Sequence, residues 1–146
     1  MANTIGRRRE LVRTILRFLL AVFYYLGGTR HLMVPNDFAA MIPWVPHPHA
    51  MVIFTGWSEL LGATGLLIPR LRKLTGIMLA IYAVCVYPAN IYQAYWHVPF
   101  HGVVLGWGYN APRLALQPVL VWLSLFCTMV VDWPFLALGV RVRARA

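Results

Sequence analysis

Glu59 stands at the middle of an otherwise uncharged apolar stretch, residues 51–68, long enough to cross a bilayer. A carboxylate at that depth costs about 2.5–3.5 kcal/mol on insertion scales, so it is kept where it faces protein or water. A carboxyl withdrawn from water can exchange a proton with a neighbour, which is general acid–base chemistry. Four other residues are expected to converge with it. His31 ends the first apolar segment, Asn90 lies in the outer part of the third, and Arg113 and Gln117 open the fourth. Glu59, His31, Asn90, Gln117 and Arg113 are therefore the candidate ligand-binding set. The proton role falls to Glu59, the orienting role to His31, Asn90 and Gln117, and an anionic ligand or a lipid headgroup to Arg113. Arg30 is the nearest candidate cation on another segment to pair with Glu59.

Other chemistries lack their signatures. His47 and His49 flank Pro48, and Pro99 lies between His97 and His101, so neither pair has helical metal-ligand spacing and no metal is expected. Cys85 and Cys127 form no C-x-x-C and read as small apolar side chains, a disulfide between neighbouring helices being the alternative. There is no nucleophile elbow, phosphate-binding glycine loop or dinucleotide fingerprint. No cofactor is specified.

The composition fixes the environment of these residues. Of 146 residues, 60% are hydrophobic and only 12% charged, with mean hydropathy +0.66. Soluble proteins carry about 25% charged residues, so a chain this apolar could not cover itself in water. The formal charge of +9 does not point to nucleic acid, because its cations flank apolar segments and build no continuous basic face. Five basic residues lie within 7–17, three within 70–73 and three within 141–145, eleven of the thirteen. With both termini in the cytoplasm, all eleven fall inside, as the positive-inside rule requires.

Four apolar stretches must carry the site: residues 11–29, 50–68, 74–94 and 114–135. Each is about 18–22 residues, the length of a helix that spans the hydrocarbon core. The first reads as a retained helix and not a cleaved signal, since Arg17 interrupts it and no small-residue cleavage site follows. The expected fold is all-α, a single-domain transmembrane four-helix bundle with cytoplasmic termini. Two outer connections, proline-rich at 35–48 and aromatic and glycine-rich at 95–112, would cap it, and a regular helix through the first is not expected. Gln117, Ser124, Thr128 and Asp132 share one stripe of the fourth helix, Asp132 near the inner boundary. Thr55, Glu59, Gly62 and Gly65 share one on the second. Glu59 lies roughly 13 Å below residue 50 at 1.5 Å per residue, in the outer half.

Several short motifs, in order, carry a resemblance. They are Gly28-x-x-His31, Ile42-Pro43-x-x-Pro46-x-Pro48, Gly56-x-x-Glu59-Leu60-Leu61-Gly62-Ala63-x-Gly65, Pro88-Ala89-Asn90-Ile91-Tyr92 and Arg113-Leu114-x-Leu116-Gln117. Together they resemble the DoxX-like membrane proteins over roughly residues 15–130. The resemblance implies a small four-helix integral membrane protein, in the bacterial inner membrane, with some relatives linked to oxidoreduction. Three functions follow. The chain is a membrane component of a redox system binding a quinone or small ligand, or a noncatalytic scaffold for a partner protein, or, as a homo-oligomer, a path for a small solute. The lipid bilayer is a partner in every case.

Overall fold

The computed structural model describes residues 2–133, with side chains from Gly6 onward. The order is α1 (Ala2–Met33), α2 (Pro35–Ala39), α3 (Pro48–Leu67), α4 (Arg72–Trp96) and α5 (Trp107–Cys127), with no strand among the described residues. The basic tail Arg141, Arg143 and Arg145 and the expected helix end at 134–135 lie outside them.

The boundaries follow from local chemistry. Proline at the first position starts both α2 and α3, where its missing N–H is not needed. Ile68 is extended before Pro69, as a residue preceding proline must be, and that ends α3. His97 takes a left-handed conformation and closes α4 by donating its N–H to the Gln93 carbonyl. Residues 35–48 are not wholly irregular as expected, because Pro35 seeds one short helix.

α5 departs most from expectation. It begins and ends well before the 114–135 span. Thr128 turns its hydroxyl back onto the Ser124 carbonyl at 2.7 Å, and the Leu125 carbonyl accepts N–H groups from both Val130 and Val131. Met129 is left-handed, so the chain folds across the end of the helix. Asp132 is therefore not on the α5 stripe. It accepts hydrogen bonds from Arg9 and Arg13 of α1.

Helix α1 packs along α3, α3 along α4, α4 along α5 and α5 back along α1. Leu20, Ala21, Tyr24, Ala63, Leu66, Leu79, Ala83 and Leu120 form the apolar core between them. Outside that core the usual distribution is inverted. Phe18, Leu26, Leu61 and Leu74 are about two-thirds exposed, whereas Glu59, Gln93, Asn110, Gln117, Ser124 and Thr128 are buried. Three helices, α1 from Gly6, α3 and α4, are long and apolar enough to cross a membrane. Asn110, Pro112, Arg113, Gln117 and Pro118 keep the first half of α5 more polar. An apolar exterior around a polar interior is how a protein solvated by lipid is built.

The two ends differ. At one, the connections on either side of α3 and α4 meet: the Asp37 carboxylate accepts from the His101 backbone N–H at 3.2 Å, and Phe38 meets the edge of Phe100. At the other, the start of α1 meets the segment after α5 through Asp132.

Candidate functional site

Glu59 faces the protein interior and is 6% exposed. Glycines make room for it. A Cβ on Gly27 would stand 2.9 Å from Glu59 Oε2, and one on Gly28 would stand 2.7 Å from the Gly56 carbonyl oxygen. The bare turn of α1 thus lets α3 approach closely enough to seat the carboxylate between helices.

Both carboxylate oxygens are engaged. Tyr82 of α4 donates its hydroxyl to Oε1 at 2.8 Å, and His31 Nδ1 lies 3.0 Å from Oε2. His31 Nδ1 is also 3.0 Å from the Gly27 carbonyl oxygen. That oxygen can only accept, so Nδ1 carries the hydrogen and shares it between carbonyl and carboxylate. Nε2 is left as the nitrogen that takes or gives a proton, and no described residue bonds it. The His31 ring stacks on Phe38 at 4.0 Å, and Phe38 in turn meets Phe100, so the two connections cover the imidazole. Its side chain remains 17% exposed. The three residues form a hydrogen-bonded chain across α1, α3 and α4, running from a buried carboxylate to a partly open imidazole.

Arg30 is not the partner of Glu59; it is exposed, and the next residue fills that place. The other predicted residues form a separate group. Arg113 donates to Asn90 Oδ1 at 2.5 Å and lies 4.0 Å from Met41 Sδ. Gln117 spends its amide N–H on the Ala83 carbonyl at 2.9 Å, joining α5 to α4. No hydrogen bond among the described residues connects this group to Glu59. The structure brings together His31 with Glu59 and Asn90 with Arg113, and uses Gln117 as a link between helices.

Two residues outside the predicted binding set matter here. Tyr82 carried a depth signal: α3 and α4 run antiparallel through a short turn at 68–71, so residues 59 and 82 lie about equally far from it. Gln93 is 1% exposed, yet neither its amide nitrogen nor its oxygen has a partner. Asn110 keeps its side-chain oxygen unpartnered too. The α4–α5 pairing of 83 with 117 and 90 with 113 puts 93 level with 110. Unpartnered buried polar atoms are rare and expensive, and here two such side chains share one level of the protein.

Arg13 and Arg17 turn inward and do not extend to the surface. Together with Arg9 they are buried at the far end, Arg17 donating to the Cys127 carbonyl at 3.2 Å. The Asp132 carboxyl beside them lies below the ordinary carboxylate value. Partial burial opposes that shift, and the hydrogen bonds from Arg13 and Arg9 outweigh it. Among the described residues, no group of three or more His, Cys, Asp or Glu side chains could hold a metal ion.

No curated protein and no solved structure matches the chain. A family model does, over residues 20–128, a stretch that includes His31, Glu59, Tyr82, Asn90, Gln93, Asn110, Arg113 and Gln117 and excludes Arg9, Arg13, Arg17 and Asp132. With 109 of its 146 residues matched, the chain belongs to the family described as Domain of unknown function (DUF8561).

Proposed function

We propose that the chain is a DoxX-like integral membrane protein, a four-helix bundle with both termini in the cytoplasm, that binds a small redox-active ligand of the quinone class. It would act as the membrane component of a redox system in the bacterial inner membrane. Arginines at residues 7–17 and basic residues at 70–73 support this orientation, which turns the two loops and His31 outward.

The observation that carries the reading is the company Glu59 keeps. Its described partners are an imidazole, able to exchange protons, and a phenol that donates a hydrogen bond, and not a lysine or arginine that would fix its charge. Reducing a quinone to a quinol takes two electrons and two protons. The electrons would come from a partner redox protein, and this site would deliver each of the two protons in turn to a ligand oxygen. Glu59 exchanges it with His31 Nδ1, and His31 Nε2 renews it from the outer face. Arg113, Asn90 and Gln93 offer donors and acceptors suited to the ligand's carbonyl or hydroxyl groups.

A titration in lipid nanodiscs tests this. A short-chain quinone, followed by tryptophan quenching, is expected to bind Glu59→Gln about tenfold or more weakly than wild type, the 1.4 kcal/mol equivalent of one lost polar contact. Equal affinity would retire the role given to Glu59. One observation favours a second reading, a scaffold for a partner protein. Both Glu59 oxygens are already satisfied inside the chain, while Trp44, Trp96, Trp107 and Tyr109 stand exposed around the loops. Crosslinking that captures one stoichiometric partner, lost when these aromatics are replaced, would select it.

A further inference from the structure

The end of the protein opposite Glu59 holds a cleft of about 960 Å³, lined by Arg7, Arg8, Arg9, Glu10, Arg13 and Asp132 among others. Four guanidinium groups therefore face two carboxylates. Asp132 is already claimed by Arg9 and Arg13, and Glu10 lies 3.4 Å from Arg13. Arg13 is 3% exposed, and its Nε is buried with no hydrogen-bond partner. Arg7 and Arg8 make no ion pair among the described residues. Arg9 and Arg13 are buried while Arg7 and Arg8 stay exposed at the rim, and buried guanidinium groups are costly unless anions balance them.

The chain cannot supply that anion from its side chains. It has four acidic residues in all: Glu10, Asp37, Glu59 and Asp132. Asp37 is tied to His101 in the loops at the other end, and Glu59 is held by His31 and Tyr82. Residues 134–146 add three arginines and no acidic side chain. Within residues 1–146 no further acidic side chain is left to balance the cluster.

We infer that this cleft is a binding site for a phosphate group, carried by an anionic lipid headgroup or by a free phosphate compound. Arginine forks match phosphate oxygens in pairs, and the clustered positions 7, 8, 9 and 13 present several such forks to one volume. The cleft is much larger than one phosphate and takes a glycerophosphate headgroup. Leu11 and Met129 on its wall offer apolar contact to the first part of an acyl chain. The site stands independently of any redox role for Glu59.

The test uses the full chain in neutral detergent, with phosphatidylglycerol, phosphatidylcholine or inorganic phosphate added, and reads binding by native mass spectrometry. Phosphatidylglycerol is expected to stay bound at one or a few copies per protein, and phosphatidylcholine to be lost. The double variant Arg7→Gln/Arg8→Gln removes only exposed cations and leaves the Asp132 pairs intact. It is expected to bind phosphatidylglycerol about tenfold or more weakly, from about a factor of five per arginine. Arg70→Gln/Lys73→Gln, with the same charge loss elsewhere, is expected to bind as wild type. Saturation by inorganic phosphate alone, weakened by the same arginine changes, would assign the site to a free phosphate compound. Binding of neither phosphatidylglycerol nor phosphate, or equal weakening by the two double variants, would overturn the inference.

Discussion

Replacing Gly28 by alanine puts a methyl group 2.7 Å from the Gly56 carbonyl oxygen and 3.0 Å from the Glu59 Cβ. Ordinary contact begins near 3.4 Å, so α1 and α3 would have to separate by about 0.7 Å along their longest shared face. The obstructing atom is backbone and cannot swing aside. Overpacking of this kind costs about 1–3 kcal/mol. Alanine's usual advantage over glycine in a helix offsets little of it, because unfolding in a membrane separates helices that are already formed. Reversible unfolding in mixed micelles titrated with sodium dodecyl sulfate measures the loss. Gly6→Ala is the control, since its new methyl meets nothing within 4 Å. Gly27→Ala makes a different prediction. Its methyl meets the tip of the Glu59 side chain at 2.9 Å, and a side chain can move. Stability should change by less than in Gly28→Ala, while the 3.0 Å bond to His31 is lost and ligand affinity with it. Should Gly28→Ala unfold no more easily than Gly6→Ala, the close crossing that seats Glu59 would be refuted.

Tyr82→Phe removes one donor from a buried carboxylate, and a loss of about 1.5–3 kcal/mol is expected in the same unfolding assay. Arg113→Gln leaves Asn90 without its charged donor; quinone affinity should fall about tenfold or more, with the unfolding midpoint moving less than in Gly28→Ala. Asp132→Asn tests the ion pairs with Arg9 and Arg13 through pH. Because the Asp132 carboxyl is lowered in the folded protein, its contribution is complete above the ordinary carboxylate value and disappears as pH falls through the lowered one. Wild type should therefore be more stable than Asp132→Asn at neutral pH and converge with it in acid, as unfolding curves at a series of pH values would display.

How much of this was legible in the sequence depends on range. The apolar lengths announced long helices, and the isolation of Glu59 in residues 51–68 announced an inward-facing acid. Periodicity alone could not find the end of α5. The stretch after Cys127 stays apolar, and what stops the helix is Thr128 turning back on Ser124 and the reach of Arg9 and Arg13 for Asp132. The arginine contacts join residues more than a hundred positions apart. Partner choice within the site was equally non-local. Arg30 and His31 are adjacent in sequence but point differently on the helix, and only the rotation of α1 against α3 decides for His31. Gln93 shows in the sequence only as a polar residue within an apolar segment. Its lack of any partner is visible only once the neighbours are in place.

The most direct measurement of the central claim is an infrared difference spectrum of the reconstituted protein, recorded as a bound short-chain quinone is reduced. A carboxyl C=O band should change with the ligand's redox state, vanish in Glu59→Gln and shift in Tyr82→Phe. Identical difference spectra from wild type and Glu59→Gln would mean that Glu59 handles no proton for the ligand, and the proposed chemistry would be wrong.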